Sequence, residues 1–142
     1  MNYSVHTHHR DEHNLLYSEK ITRLLANAYP ELVSIYIHGS MVKGNVHANS
    51  DLDLALLFTP GFTPARIDLL LLSADLENLI GRNVDIGVLS LTNVVYAKEV
   101  LTGGRRIYCR DTMACETFEM YVFSFYAKLN DERWEVLASY QA

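Results

Sequence analysis

Apolar positions change period several times along the chain, and each change marks an element. Leu15, Ile21, Leu24, Leu25 and Ala28 fall roughly on one side of a helix that Asp11 can cap and Pro30 ends. Val33 to Ile37 is β-branched and aromatic apart from Ser34, which predicts a short strand. Gly39 to Ser50 is small and polar, a loop with room for one helical turn. Leu52 to Phe58 is a second strand. Thr63-Pro64 predicts a helix start, with Pro at the first helical position, and Gly81 predicts its end. Val84 to Leu89 is a third strand. A helix opening at Thr92 or Asn93 is ended by Gly103-Gly104, and Arg106 to Arg110 is a fourth, edge strand.

The remainder, 111–142, is strongly helical, with Asn130-Asp131 as the place where it can break. Phe118, Val122, Phe125 and Leu129 form one stripe of it. Met120, Phe123, Ala127, Trp134 and Leu137 carry apolar surface away from that stripe. The excess is expected to pack inside the domain, with docking of a partner as the alternative. The order is an α/β (α+β) domain around a small sheet, and the pattern alone sets neither strand order nor direction.

Composition narrows the picture. At 142 residues the chain is expected to be a single domain, 1–142, with 1–10 as a flexible polar tail. The net charge of −5 makes it a poor general binder of nucleic acid, so no direct nucleic-acid partner is expected. The N-terminus lacks an apolar signal core, and no apolar run approaches a membrane span. A cytoplasmic protein with no membrane partner is expected. Cys109 and Cys115 are too few for a disulfide scaffold or a zinc pattern, and read as buried or free thiols in a reducing compartment. His6, His8, His9 and His13 read as part of a solvated tail rather than a metal site.

The chemistry lies between the first two strands. Ile37-His38-Gly39-Ser40 leads a strand into a Gly-Ser turn. A loop of ten residues follows, and the next strand opens with Asp51-Leu52-Asp53. Strand side chains alternate, so Asp51 and Asp53 share one face and Leu52, Leu54 and Leu56 the other. Two residues of strand rise is about 6.6 Å, within reach of metal ions about 3.5–4 Å apart. A third carboxylate, Asp85, stands between Val84 and Ile86 in the third strand, where an unpaired charge is expensive. Three neighbouring carboxylates repel, and divalent cations remove the conflict. Mg²⁺ suits carboxylate oxygens combined with substrate phosphates. Gly39 lets a phosphate approach the backbone, Ser40 offers a hydroxyl and an amide, Gly44 adds a flexible point and Lys43 a positive charge. His38 reads as structural, with contact to a phosphate or acceptor as the alternative. His47 lies in the same loop. Arg105 and Arg106 read as a solvated turn. No Gly-X-X-X-X-Gly-Lys-Ser/Thr loop is present, and no Gly-X-Gly-X-X-Gly follows a strand.

An apolar-Gly-Ser turn, a ten-residue loop, Asp-X-Asp and a later strand Asp together resemble the DNA polymerase β-like nucleotidyltransferase superfamily. Within it, the chain is similar to the minimal MNT-type enzymes, including the antitoxins paired with HEPN-type toxins. The resemblance covers about 15 to 110 and takes in Gly104 to Tyr108, which resembles the Gly-X-X-apolar-Tyr ending of these domains. It implies a small mixed sheet flanked by helices. Asp51, Asp53 and Asp85 become the catalytic and metal-holding residues, with two Mg²⁺ ions. Gly39, Ser40, Lys43 and Ser50 become the nucleotide-binding residues. The implied reaction moves AMP from ATP to a tyrosine hydroxyl of a HEPN toxin in a hetero-oligomer. Two departures stand out. Met41 occupies the place where many members carry a basic residue, and Lys43 stands where Arg is frequent. Lys cannot match an Arg fork, so the triphosphate grip is expected to differ. Two other functions compete: a non-catalytic binding antitoxin, and transfer to a small molecule such as an aminoglycoside. The chain shows no obvious acceptor-binding domain for the second.

Overall fold

A computed structural model describes residues 5–39, 42 and 51–140, with side chains from residue 17 onward. Its elements are α1 (Val5–Ala28), β1 (Leu32–His38), β2 (Leu52–Phe58), α2 (Arg66–Ile80), β3 (Val84–Val88), α3 (Val94–Gly103), β4 (Arg105–Cys109) and α4 (Thr112–Tyr140), with a short 3-10 turn at Leu91–Asn93 before α3. The sheet order is β3-β2-β1-β4. β1 runs antiparallel to both β2 and β4, and β3 runs parallel to β2. The sheet is therefore mixed, as the resemblance implies.

Alternation along the strands divides the core into two layers. Ile35, Ile37, Leu52, Leu54 and Leu56 pack with Ile21 and Leu25 of α1 and Leu76 and Ile80 of α2. Val33, Tyr36, Ala55 and Leu57 pack with Ala97 and Val100 of α3 and Cys115 and Val122 of α4. Helices thus cover both faces, and β2 is buried between them.

Several boundaries differ from expectation. α1 begins at Val5, ahead of Asp11, and takes in much of the segment read as a polar tail. That segment has little apolar period, but it holds no Gly or Pro to stop a helix from running back. α2 begins at Arg66, beyond Pro64. Phe62 holds the chain back: its ring packs 5.2 Å from Phe58 and 6.0 Å from Tyr29, and its amide donates to the Thr59 carbonyl at 3.1 Å. Gly81 ends α2 as expected, in a left-handed conformation with its amide on the Glu77 carbonyl at 2.8 Å. α4 continues through Asn130-Asp131 without a break.

Cys109 and Cys115 are joined in a disulfide, with Cα atoms 6.6 Å apart, which corrects the expectation of buried or free thiols. Asp111 is the physical reason. Its Oδ1 accepts from the amides of Met113 (3.0 Å) and Ala114 (3.4 Å), so α4 starts directly after β4 and its first turn brings Cys115 back beside Cys109.

Arg105 and Arg106 are exposed but do not form a turn. Both lie in β4, and Arg106 Nη1 pairs with Glu119 of α4 at 2.9 Å. The same Glu119 oxygen accepts from the buried Tyr36 hydroxyl, joining β1, β4 and α4. Burial, then the Glu119 hydrogen bond, pushes the Tyr36 phenol well above its ordinary range and keeps it a donor. Tyr36→Phe is expected to lower stability by about 1–2 kcal/mol, read as a shift of the urea midpoint at unchanged slope.

Candidate active site

Three strands bring the site together at one end of the sheet. His38 of β1 pairs with Asp53 of β2, and Asp53 pairs with Asp85 of β3, so the three residues form one row across the sheet. Asp51 stands immediately before β2. Leu52, Leu54 and Leu56 of β2 face α1 and α2, and the alternation turns Asp53 to the side of α3 and α4. Parallel pairing of β3 on β2 is what carries Asp85 to Asp53. That pairing is clamped at both ends: the Leu52 amide donates to the Asn83 carbonyl, and the Leu89 amide to the Leu56 carbonyl, each at 2.8 Å. Glu77 of α2 adds a third clamp by accepting from the Val84 amide at 3.1 Å.

Gly39 closes the row where β1 ends. It has φ +80°, and a Cβ there would overlap Asp53 Oδ2. Only glycine lets the backbone take this conformation and lie against the carboxylate. The Val42 amide donates to the Gly39 carbonyl at 3.2 Å.

The electrostatics single out Asp53. Asp51 and Asp85 are exposed, whereas Asp53 is partly buried in the centre of the row. Burial pushes its carboxyl above the usual range. His38 opposes the shift, and the charges of Asp85 and Asp51 add to it. His38 is pushed below the ordinary histidine value, because burial outweighs the attraction of Asp53 and Asp85. Burial leads both shifts; the neighbouring carboxylates add to that of Asp53 and oppose that of His38.

A divalent cation fits this donor set. The row consists of hard carboxylate oxygens, the central one is disfavoured in its charged form, and the Gly39 backbone lies directly against that central carboxylate, where any side chain would overlap Oδ2. Among the described residues, no three His, Cys, Asp or Glu side chains form a ready-made metal cluster. Binding would therefore require the exposed Asp51 and Asp85 side chains to turn towards the cation.

Gly39, Asp51, Asp53 and Asp85 all stand at one end of the sheet. Ser40, Lys43 and Ser50, together with Met41, Gly44 and His47, lie outside the described residues. One residue of the site is absent from that reading. Tyr96 of α3 points its hydroxyl at His38 Nε2, 3.4 Å away, and the two rings meet edge to face at 5.8 Å. In sequence it is one aromatic among nine tyrosines, and nothing beside it marks a site.

Comparison with known proteins agrees with this geometry. The protein-family model described as Polymerase beta, Nucleotidyltransferase matches residues 19–113, which include the Gly39 turn and all three aspartates. The chain belongs to the polymerase β nucleotidyltransferase family. It is a nucleotidyltransferase, and it is 30% identical over 122 residues to the protein adenylyltransferase MntA of Shewanella oneidensis, covering 86% of each protein. Among solved structures, it resembles a crystal structure of a toxin–antitoxin with AMP-PNP, with a TM-score of 0.74 and 30% identity over 88% of this chain and 98% of that one. It also resembles a complex of tri-AMPylated Shewanella oneidensis HEPN toxin with MNT antitoxin, with a TM-score of 0.70 and 27% identity over 89% and 98% of the two chains. Among the described residues, no helix is long and apolar enough to cross a membrane.

Proposed function

We propose that this nucleotidyltransferase moves AMP from Mg²⁺-bound ATP to a tyrosine hydroxyl of a HEPN-type toxin in the cytoplasm, and so acts as its antitoxin. The observation that carries the reading is the Asp53-centred row against the Gly39 turn. It stands in a chain 30% identical to a named protein adenylyltransferase.

The residues divide the work. Asp51 and Asp53 would hold the cation that accompanies the triphosphate and would share a second with Asp85. When bound, such ions neutralise phosphate charge and lower the pKa of an attacking hydroxyl. Gly39 admits the triphosphate to the backbone, with Ser40, Lys43 and Ser50 as further contacts. The acceptor oxygen bonds to the α-phosphorus as the bond to pyrophosphate breaks. Asp85, exposed at the edge of the row, takes the acceptor proton. Most of the rate enhancement comes from alignment and charge neutralisation.

The acceptor belongs on another polypeptide, and the far end of α4 supports this. Every residue from Asp131 to Tyr140 is exposed, including Trp134 (71%), Leu137 (56%) and Tyr140 (84%). The expectation that this apolar excess packs inside the domain is thereby corrected. With no break at Asn130-Asp131, the helix runs straight on, and its end is left uncovered. A Trp beside aliphatic neighbours is the type of surface that anchors a partner. A Trp134→Ser, Leu137→Ser double variant is expected to keep its fold stability within about 1 kcal/mol. It should bind the toxin about a hundredfold more weakly, measured by calorimetric titration.

The same face also suits a purely binding antitoxin, so transfer itself must be tested. The chain would be co-purified with its HEPN partner, given ATP and Mg²⁺, and followed by intact-mass spectrometry. An Asp51→Asn, Asp53→Asn double variant would run in parallel. AMP-sized gains on the partner that require both aspartates are the expected result. A stable complex with no gain from any nucleoside triphosphate would replace transfer by binding alone.

A further inference from the structure

The row next to the carboxylates carries unusually little side chain. One step inward from Asp85 and Asp53, the paired residues are Gly87 of β3 and Ala55 of β2. Tyr96 enters the hollow they leave. A Cβ on Gly87 would overlap the Tyr96 hydroxyl, so this glycine makes room for the oxygen itself and not merely for the ring. From that seat on β3 the hydroxyl faces His38 Nε2 on β1 at 3.4 Å, crossing the sheet beside Asp53.

His38 is confined from other sides as well. A Cβ on Gly104 would come within 3.2 Å of His38 Cβ and 2.7 Å of the Ile37 carbonyl, so the start of β4 lies close against it. Gly39 follows it directly. Gly104 thus confines the base of the side chain, and Tyr96 meets its ring, beside Asp53 in the next strand.

We propose that Tyr96 is a positioning residue for nucleotidyl transfer: by donating its hydroxyl proton to His38 Nε2, it leaves the imidazole proton on Nδ1, as a neutral donor beside the carboxylate row. The Tyr96 phenol suits this role. Burial, reinforced by Asp85 and Asp53, pushes it up to about 12, so it stays protonated and able to donate. A neutral donor that a second residue holds in one tautomer can meet a phosphate oxygen without reorienting during reaction. Sequence spacing cannot show this arrangement, because Tyr96 and His38 are brought together by the packing of α3 on the sheet.

The inference rests on the transfer reading for its role in catalysis, but the tautomer can be read without any transfer. Imidazole ¹⁵N NMR of the full chain would be compared with that of Tyr96→Phe, which keeps the ring and removes only the oxygen. In the native chain His38 should show a protonated Nδ1 and an unprotonated Nε2. In the variant that preference should be lost. The opposite tautomer in the native chain, or an unchanged His38 signal in Tyr96→Phe, would overturn the proposal whatever the protein transfers.

Kinetics supplies the second arm. Tyr96→Phe and His38→Gln are each expected to lower kcat about tenfold at nearly constant KM for ATP. Their double variant should lose little more than either alone, because one residue acts through the other. Native kcat in Tyr96→Phe, or losses that multiply in the double variant, would also overturn it. A native chain with the expected tautomer and no transfer to any acceptor would instead count against the functional reading.

Discussion

Replacing Asp53 by Asn is expected to abolish transfer and, at the same time, to raise the melting temperature of the metal-free protein. The two effects share one cause. Asp53 is the central residue of the row, paired to both His38 and Asp85. Losing it should lower the transfer rate by about a thousandfold or more. Its carboxyl lies above the usual range in the folded chain because it is buried and because Asp85 and Asp51 repel its charge. A carboxyl raised on folding binds its proton more tightly in the folded state than in the unfolded one. Its contribution to stability is fully present below the unfolded value and is lost as pH rises through the folded value. At neutral pH the native chain therefore carries this penalty, and the Asn variant does not. The carboxyl is only partly buried, so solvent screening limits the expected gain to about 1–2 °C. Added Mg²⁺ should raise the melting temperature of the native chain and barely move that of the variant. Thermal scans at pH 7.5 with and without Mg²⁺, beside the transfer assay, decide the matter. A lower melting temperature or near-native transfer would contradict the assignment.

Gly39→Ala is expected to have the second largest effect, for reasons of shape. The backbone there has φ +80°, and the new methyl would overlap Asp53 Oδ2. Strain at this φ costs about 1 kcal/mol. The overlap must also displace the carboxylate or the turn, and misplacement of that size costs about a hundredfold in rate. Gly81→Ala is the control. Gly81 also has a positive φ, of 79°, but an added Cβ there meets nothing within 4 Å. It should lose a similar amount of stability and keep its transfer rate. Equal activity losses in the two variants would show that backbone strain alone, and not contact with Asp53, is what Gly39 avoids.

The site was partly legible in the sequence because its parts are local. The alternation of Leu52, Asp53, Leu54 and Leu56 already separates a carboxylate face from an apolar face, and the structure buries those leucines against α1 and α2. Gly39 after an apolar strand announces a turn, and Asp85 between Val84 and Ile86 announces a charge needing compensation. Gly81 marks the end of α2 in the same way. Each of these depends on neighbours within a few residues, where side-chain period and backbone freedom act directly.

Other features had no local signal. The length of α1 is one, since His-rich polar residues neither require nor forbid a helix. The unbroken course of α4 is another, because Asn130 and Asp131 are only weak breakers and a long helix can carry them. The Cys109–Cys115 bond followed from the way Asp111 turns the chain between β4 and α4. Tyr96 joined the site only because Gly87 and Ala55 leave a hollow beneath α3.

The sequence by itself determined the elements, the face each strand turns to the core, and the three carboxylates with their glycine turn. Side-chain alternation and glycine's backbone freedom are properties of adjacent residues, so they can be read in order along the chain. The tertiary structure alone decided the strand order β3-β2-β1-β4, the row His38–Asp53–Asp85 and the approach of Tyr96. Those depend on which distant segments bury apolar area against one another, and many pairings satisfy the same local pattern until the whole core is packed.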